Sequence, residues 1–272
     1  PAPQAKLCKN KMSSILSIIR LLAFLFTTLF LLPLQIFVMI FSKGSASYLI
    51  PGLWHKIVCG IYGIKVHVSG TPYNDGSVFF VCNHASYLDI PVIGSVMPVR
   101  FVAKQDVASW PVFGFLAKLQ RTYFINRARM AAGNEQKRLA RTVSEGGRFL
   151  IFPEGTSSNG TQALPFKSAA FSMLFADDLT DKPIIQPFSI VIDKVNGQTP
   201  ASPESFDIYA WHGDMDLAPH LWHLGKQSGV DIALIFHPPF EIPKDSDRKT
   251  LAKLCERQVA RPYLDKNYKV AA

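Results

Sequence analysis

The sequence predicts an α/β domain in which a mixed, mostly parallel sheet is covered by helices on both faces, with an N-terminal helical membrane anchor ahead of it. Strand-length segments alternate with helical segments through most of the chain after residue 51. Several of the strand segments are apolar at consecutive positions, which indicates a sheet buried on both faces. A long uncharged segment before residue 51 predicts the anchor.

Residues 1–50 are expected to form a tail and the hydrophobic anchor, and residues 51–272 the main domain. The anchor segment, residues 14–41, contains an uncharged run of about twenty residues after Arg20, which is the length of a bilayer-spanning helix. Three interpretations are open: a spanning helix, two shorter helices that break near Pro33 and lie in one leaflet, and a cleaved signal peptide. The signal peptide fits least well, because the apolar core of such a peptide is only ~7–15 residues long.

The first half of the domain is predicted to contain three helices and four strands. Residues 64–68 alternate between apolar and polar side chains, as a half-buried strand does, and residues 77–82 form an apolar strand after a turn. Helical apolar spacing precedes and follows these strands. The predicted elements are, in order, helix 53–62, strand 64–68, strand 77–82, helix 90–97, strand 100–103, helix 111–119 and strand 122–125.

The second half continues the alternation to the C-terminus. Residues 136–144 form a helix with a polar face, which Gly146 and Gly147 stop. An apolar strand at 148–152 then ends abruptly at the sequence PEGTSSNG. The remaining predicted elements are helix 168–175, strand 184–192, strand 206–211, helix 218–224, strand 230–236 and helix 247–259.

The composition favours a protein that meets a membrane. Hydrophobic residues make up 48% of the 272 residues and charged residues only 18%, which is apolar for a soluble protein. The net charge of +9 favours anionic partners, but the cationic residues are dispersed, without the stripe that nucleic-acid binding needs. The four cysteines lie far apart and form no CxxC pair, so we expect buried reduced thiols and a cytosol-facing domain. GxGxxG and Walker GK[ST] motifs are absent, so a nucleotide-binding fold has no support.

The stretch VCNHASYLDIP, residues 81–91, places His84 five positions before Asp89, directly after a predicted strand. On a continuous helix these side chains would point about 140° apart and could not touch. Ser86 and Asp89 fit a capping box, which would begin a helix near Tyr87 and leave His84 on the preceding loop. Asp89 then either caps the helix alone, or fixes the orientation of His84 so that its other ring nitrogen can take a proton from a hydroxyl.

Further segments accompany this pair. NHASYLD resembles the HxxxxD motif of the glycerolipid acyltransferase family, whose best-known members are the 1-acylglycerol-3-phosphate acyltransferases. FVAK at 101–104, TYFINR at 122–127, FPEGTSS at 152–158 with LPFKSAAF after it, and PIIQPFSI at 183–190 resemble the other family blocks in order and approximate spacing. An HxxxxD motif alone is a weak signal, whereas several ordered blocks are a strong one. The resemblance covers roughly residues 55–192.

The resemblance implies a membrane-bound O-acyltransferase that moves a fatty acyl group from acyl-CoA or acyl-carrier protein to the free hydroxyl of a lysolipid. The main expected acceptor is 1-acylglycerol-3-phosphate, which would give phosphatidic acid. His84 would be the general base and Asp89 would hold it, with no acyl-enzyme, cofactor or metal. The resemblance and the anchor together imply a catalytic domain on the cytoplasmic face of a membrane, which is the inner membrane if the source is bacterial.

The resemblance also implies a substrate-binding set. Arg127 would bind the acceptor's phosphate through its guanidinium group in a bidentate manner. Gly155 would allow close backbone approach at a strand end, where ligands gather in open α/β sheets, and the hydroxyls of Thr156 and Ser157 could donate to phosphate oxygens. The expected set comprises Arg127, Glu154, Gly155, Thr156, Ser157, Lys104 and Lys167.

Two positions depart from the family pattern. Ser157 stands where many members have arginine in EGTR, and Asn126 stands where many have aspartate in FIDR. Loss of an arginine removes a charge-assisted phosphate contact, which favours a less phosphate-like acceptor. FPEGTSS and the segment at 210–222 resemble the branch that acylates other lysolipids, including lyso-ornithine lipid, which is the alternative acceptor.

A rival interpretation concerns residues 211–223. Histidine and aspartate side chains so close together could bind a divalent metal, which makes a metal-dependent hydrolase a remoter alternative. An aromatic-rich helix start capped by aspartate explains the same pattern without a metal. The residues in question are His212, Asp214, Asp216, His220 and His223.

Overall fold

The structure is a computed structural model of the chain. It describes residues 3–42, 44–110, 113–125, 138, 141–143, 145–175, 179 and 181–265, with only the backbone of residues 3–11 and 45. The strands in these ranges are β1 (Ile64–Ser69), β2 (Val78–Cys82), β3 (Arg100–Lys104), β4 (Tyr123–Ile125), β5 (Arg148–Ile151), β6 (Ile184–Val195) and β7 (Val230–Phe236). The helices are α1 (Pro3–Phe41), α2 (Leu49–Tyr62), α3 (Asp89–Val96), α4 (Phe113–Leu119), α5 (Pro203–Phe206), α6 (Leu217–Gly225) and α7 (Arg248–Leu264). Short 3-10 helices lie at Ser45–Tyr48, Gln105–Ser109 and Ser168–Phe175.

The strands of the described ranges form one seven-stranded sheet in the order β1-β7-β6-β2-β5-β3-β4. Neighbouring strands run parallel, except that β6 and β7 are antiparallel. The predicted mixed, mostly parallel sheet is therefore confirmed. Because β2, β5, β3 and β4 are parallel, their carboxyl ends lie at one edge of the sheet, where a functional site is expected.

Helices cover both faces of the sheet. Every residue of β2 is fully buried, and its side chains alternate between two hydrophobic clusters. Phe80 packs in the cluster that contains residues of α2, α3 and α6. Phe79 and Val81 pack in the cluster that contains residues of α7 and of the Ser168–Phe175 helix. The apolar character of β2 at consecutive positions thus has the cause that the sequence predicts.

The strand predicted at 206–211 is wrong. Residues Pro203–Phe206 form the short helix α5, and the chain then turns. The backbone N–H groups of Tyr209 and Ala210 both donate to the carbonyl of Phe206, which closes the turn. Tyr209 and Ala210 are nonetheless fully buried, so a buried turn produces here the apolar pattern that is typical of a strand.

Most other predicted elements occur within a few residues of their expected bounds. The helix predicted at 136–144 lies largely outside the described residues, although residues 141–143 are helical. The region predicted as a helix at 168–175 is a 3-10 helix. Three cysteines have free, buried thiols, as expected for a domain with reduced cysteines: Cys59, Cys82 and Cys255.

Helix α1 is continuous through Pro33, so the break predicted there by one of the three interpretations does not occur. The helix is held against the body of the protein before and after the proline, which opposes a kink. Hydrogen bonds join the two at points along α1: Ser17 Oγ to the Trp222 carbonyl (3.0 Å), Arg20 Nη1 to the Gln227 carbonyl (2.7 Å), Trp54 Nε1 to Thr28 Oγ1 (3.0 Å) and Gln35 Nε2 to the Leu119 carbonyl (2.7 Å).

The outer face of α1 is apolar and exposed. Residues Met12–Phe41 are long and apolar enough to cross a membrane, by length and composition, and among the described residues no other helix is. Large side chains on this face include Phe26, Leu29, Phe30, Phe37 and Phe41. An exposed apolar surface of this size marks a membrane or a protein contact.

Candidate active site

His84 and Asp89 meet at the junction between β2 and α3. His84 lies on the loop that follows Cys82, and Asp89 is the first residue of α3. The Nδ1 atom of His84 lies 2.7 Å from Oδ2 of Asp89. As predicted, no continuous helix joins the two residues, and the loop before α3 brings their side chains together.

Asp89 also caps the turn that precedes α3. Its Oδ2 atom accepts the backbone N–H groups of Ala85 at 2.8 Å and Ser86 at 3.1 Å. This is one half of a capping box, in which the carboxylate reaches back to the backbone. The other half is missing, because Ser86 Oγ is buried and makes no hydrogen bond. Both functions weighed from the sequence, capping and holding His84, belong to the same carboxylate.

The surroundings of Asp89 fix the tautomer of His84. The Asp89 side chain is fully buried, and its second oxygen, Oδ1, accepts the hydroxyl of Tyr209 at 2.8 Å. Backbone N–H groups and a phenol all donate to this carboxylate, so it acts as an acceptor toward His84 as well. Nδ1 of His84 then carries the proton, and Nε2 keeps its lone pair. The imidazole is about a quarter exposed (23%), so part of the ring lies at the protein surface.

The loop after β5 holds the backbone and the ring of His84. Glu154 Oε2 accepts the His84 N–H at 3.1 Å, and the His84 carbonyl accepts the N–H of Ser158 at 2.7 Å. The imidazole stacks on the ring of Phe152, with ring centroids 4.1 Å apart and planes inclined by 23°. These contacts fix both the position of His84 and the plane of its ring.

Glu154, which was expected to bind substrate, faces the protein instead. It is only 1% exposed, and its other oxygen, Oε1, accepts the N–H of Leu164 at 2.8 Å. Burial raises the pKa of Glu154 to about 8, and the nearby Asp89 adds to this, while the hydrogen bonds from Leu164 and His84 oppose it. Its carboxyl group therefore ties two loops together at the side of the imidazole.

The other residues of the 154–157 block divide into exposed and bonded positions. Gly155 has φ of 72°, a left-handed conformation that favours glycine, and a Cβ there would come within 2.9 Å of Lys167 Nζ. Thr156 and Lys167 are exposed near this turn. Ser157 Oγ donates to the carbonyl of Trp211 at 2.5 Å, so its proton is already engaged.

Of the two residues Lys104 and Arg127, both expected to contact phosphate, the structure describes only Lys104. Lys104 is exposed at the carboxyl end of β3, on the same edge of the sheet as His84, but no described contact joins it to the His84 loop. Arg127 lies outside the described residues.

Two side chains of the site were not singled out from the sequence. The sequence assigns Tyr209 to a strand at 206–211 and Phe152 to the end of a strand at 148–152. A buried carboxylate needs donors for both of its oxygens, which could have prompted a search for a partner of Asp89. No sequence pattern identifies which donor, because Tyr209 is 120 positions away in the chain.

The His/Asp cluster at 211–223 has no metal-binding geometry. His220 Nε2 lies 3.1 Å from the carbonyls of both Asp207 and Ala210, and its Nδ1 lies 3.0 Å from the hydroxyl of Tyr87. His212 Nε2 pairs with Asp207 Oδ1 at 3.0 Å. Within the described ranges, which include all of 211–223, no three His, Cys, Asp or Glu side chains are placed to hold a metal. The metal-dependent hydrolase expected as a remoter alternative therefore has no site here.

A mostly parallel sheet with a His–Asp pair at the carboxyl end of a central strand is typical of an α/β enzyme. Sequence comparison agrees, because the profile of the acyltransferase family matches residues 63–191. The lyso-ornithine lipid O-acyltransferase of Brucella abortus (strain 2308) is 33% identical over 237 residues, covering 85% of this chain and 88% of that protein. The chain belongs to the acyltransferase family.

Two further comparisons concern proteins named for 1-acylglycerol-3-phosphate. The 1-acyl-sn-glycerol-3-phosphate acyltransferase of Neisseria gonorrhoeae is 29% identical over 189 residues, covering 69% of this chain and 70% of that protein. The crystal structure of the 1-acyl-sn-glycerophosphate (LPA) acyltransferase from Thermotoga maritima matches with a TM-score of 0.67 at 19% identity, covering 96% of this chain and 100% of that chain. The structural likeness confirms the fold.

Proposed function

We propose that this acyltransferase moves a fatty acyl group from a thioester donor to the free hydroxyl of a lysolipid, with His84 as general base and Asp89 as its partner. The observation that carries this proposal is the 2.7 Å contact between His84 Nδ1 and Asp89 Oδ2. It leaves a lone pair on Nε2, in a ring that the protein holds in place. A base in this state can accept a proton from an alcohol.

The reaction needs one base and no covalent enzyme intermediate. Nε2 of His84 takes the hydroxyl proton as the oxygen attacks the thioester carbonyl, and Asp89 stabilises the imidazolium that forms. The tetrahedral intermediate then collapses, the carbon–sulfur bond breaks, and the thiolate takes the proton back from Nε2. An ester and a free thiol result, and His84 returns to its starting state. The donor can be acyl-CoA or acyl-carrier protein.

For the acceptor, we propose lyso-ornithine lipid rather than 1-acylglycerol-3-phosphate, the main expectation from the sequence. The Brucella protein named for the first substrate is more similar over more of the chain than the Neisseria protein named for the second. The longer match extends beyond residues 63–191, so it includes part of the C-terminal region that contacts the active site.

The chemistry at residue 157 supports the same choice. Many family members have an arginine there, which could bind a phosphate group, whereas this chain has a serine. The hydroxyl of Ser157 donates a hydrogen bond to the carbonyl of Trp211. The position thus offers neither a cation nor a free donor to a phosphate group. A headgroup that lacks phosphate has less need of either.

We also propose that α1 lies along the surface of one membrane leaflet. It would then be neither a spanning helix nor a cleaved signal peptide. Its contacts with the body extend from Ser17 to Gln35, a distance of ~27 Å at ~1.5 Å per residue. That is close to the ~30 Å thickness of the hydrocarbon core. A spanning α1 would draw the polar groups bonded to it, such as the carbonyl of Gln227, into that core. We expect the domain on the cytoplasmic face, because the buried thiols of Cys59, Cys82 and Cys255 are free.

The test is acyl transfer by the purified full chain in lipid vesicles. Thiol release from acyl-CoA, and separately from acyl-carrier protein, is measured against lyso-ornithine lipid, 1-acylglycerol-3-phosphate and a neutral monoacylglycerol, with the product identified by mass. We expect the highest kcat/KM with lyso-ornithine lipid. His84→Ala should lower kcat by ~10³-fold or more, since a general base contributes ~10²–10⁴-fold. A preference for 1-acylglycerol-3-phosphate would overturn the acceptor, and a fully active His84→Ala variant would overturn the base.

A further inference from the structure

We propose that Tyr209 is a positioning residue for acyl transfer, which extends the His84–Asp89 pair to a chain of three side chains. The inference rests on the proposed function, because Tyr209 acts through Asp89 and does not meet the substrate. It lies outside residues 63–191, the part of the chain that matches the family profile. The C-terminal region would then supply part of the active site as well as part of the fold.

The hydrogen bonds to Asp89 divide between its two oxygens. Oδ2 is bonded to the ring of His84 and to two backbone N–H groups, of Ala85 and Ser86. Oδ1 accepts the hydroxyl of Tyr209 at 2.8 Å, and no other hydrogen bond to this oxygen occurs within the described residues. Tyr209 must be the donor, because a carboxylate can only accept. Without the phenol, this buried oxygen would lose its partner inside the protein.

The Tyr209 hydroxyl is kept in its donor state. The side chain is fully buried, and burial together with the neighbouring charge of Asp89 raises its pKa well above that of a free tyrosine. The phenol therefore stays protonated throughout the pH range in which the enzyme is expected to work.

The turn that carries Tyr209 is fastened to the HxxxxD motif itself. His220 Nε2 faces two carbonyls, those of Asp207 and Ala210, so this nitrogen carries the proton and Nδ1 must accept. The donor to Nδ1 is the hydroxyl of Tyr87, a residue of the motif, at 3.0 Å. His220 thus links the residues on either side of Tyr209 to the loop that bears His84.

A second link joins the same turn to the motif through the backbone. The N–H of Trp211 donates to the carbonyl of Ala85 at 2.8 Å, and the carbonyl of Trp211 accepts Ser157 Oγ. The turn is therefore fixed on both sides of Tyr209 relative to Asp89. Packing alone would hold a tyrosine side chain without these hydrogen bonds. A hydroxyl that has to donate to one particular carboxylate oxygen needs its backbone fixed in this way.

Tyr209 is expected to affect the chemical step more than substrate binding. The bond to Oδ1 stops rotation of the carboxylate, so Oδ2 stays directed at Nδ1 while the imidazole takes and returns a proton. Loss of a hydrogen bond to a charged group corresponds to about 10–100-fold in rate if it acts fully in the transition state. KM for both substrates should change little, because neither contacts Tyr209.

The test compares Tyr209→Phe with Tyr62→Phe in the full chain. Tyr62 is a matched control, since it is also buried and its hydroxyl has no hydrogen-bond partner within the described residues. We expect Tyr209→Phe to lower kcat by about tenfold or more at nearly constant KM, while Tyr62→Phe stays within about twofold of the wild type. Thermal unfolding and circular dichroism of each variant separate a loss of turnover from a loss of folded protein.

A double-mutant cycle decides whether the effect passes through Asp89. In the Asp89→Asn background, adding Tyr209→Phe should change kcat by less than about twofold, because the carboxylate that it orients is gone. An equal fall in both backgrounds, or a Tyr209→Phe variant no slower than Tyr62→Phe, would overturn the inference. The base assignment is tested separately, because a fully active His84→Ala variant defeats the proposed function whatever Tyr209→Phe does.

Discussion

The side chain of Glu154 holds the backbone of His84, because Oε2 of its carboxyl group accepts the His84 N–H at 3.1 Å. The other oxygen accepts the N–H of Leu164, so one buried side chain connects the loop after β2 to the loop after β5. The sequence places Glu154 among the residues expected to bind substrate. Its geometry instead suits a residue that sets the position of the base, and the two roles differ in their kinetic effects.

The first prediction concerns Glu154→Gln. Above pH ~8 the wild-type carboxyl group is ionised and both of its oxygens accept, whereas an amide offers one acceptor and one donor group, so in that pH range one of the two backbone N–H groups would lose its partner and the His84 loop would loosen. We expect kcat to fall about tenfold with KM for the acceptor nearly unchanged, measured by thiol release under saturating donor. A large rise in KM with unchanged kcat would instead return Glu154 to the substrate-binding set. Gln162→Glu, at an exposed position of the same segment, serves as the control and should be neutral.

The second prediction uses the pKa of Glu154, which burial raises to about 8 in the folded protein. In the unfolded chain the group ionises near pH ~4.3. Between these values the folded state binds one more proton than the unfolded state, so the free energy of unfolding falls as pH rises, and it levels off above pH ~8. The loss from this group is on the order of a few kcal/mol.

Glu154→Gln should remove that part of the pH dependence. Chemical unfolding is measured for both proteins between pH 5 and 9, and the free energy of the variant is subtracted from that of the wild type. The difference is expected to shift steadily in favour of the variant up to pH ~8, because the amide does not ionise. A difference that is independent of pH would show that Glu154 is ionised in the folded protein.

The sequence was sufficient for the local part of the active site and insufficient for the rest. His84 and Asp89 are five positions apart, and the strand end and capping pattern between them are readable from short-range rules. Tyr209 meets Asp89 only through tertiary packing, and its segment has the apolar pattern of a strand although it forms a turn. Long-range contacts of this kind leave no fixed spacing in the sequence.

The fold shows the same division. Most strands of the sheet were predicted from their apolar runs, which are typical of strands buried on both faces, and β1 from the alternation of a half-buried strand. The antiparallel pairing of β6 with β7 was not predictable, because strand direction depends on the connection and not on the strand itself. The continuity of α1 through Pro33 likewise depends on contacts that hold the helix from outside.

The third prediction concerns acceptor choice at residue 157. Ser157→Arg restores a guanidinium where the family pattern has one, at a partly exposed position beside exposed Thr156. We expect the ratio of kcat/KM for 1-acylglycerol-3-phosphate to that for lyso-ornithine lipid to rise by about tenfold, the effect of one charge-assisted hydrogen bond. Gln162→Arg adds the same charge at an exposed site nearby and should leave the ratio unchanged. If both variants raised the ratio equally, the cause would be general electrostatic attraction, and the predicted specific contact at residue 157 would be wrong.

The last prediction concerns the placement of α1 in the membrane. If α1 lies along one leaflet, its two ends are on the same side, whereas a spanning helix puts them on opposite sides. Met12→Cys and Ser42→Cys mark the ends, and Asp245→Cys marks the exposed surface of the body. Each is made in a Cys8→Ser background and treated with a membrane-impermeant maleimide in sealed inverted vesicles and in intact spheroplasts.

We expect all three positions to react in inverted vesicles and none in intact spheroplasts, which is the result for a cytoplasmic protein surface with α1 in one leaflet. Background reaction should be low, because Cys59, Cys82 and Cys255 are buried. Reaction of residues 12 and 42 from opposite sides would establish a spanning helix and require α1 to leave the body. The hydrogen bond of Gln35 to the Leu119 carbonyl would then have to break, since the body cannot follow α1 through the hydrocarbon core.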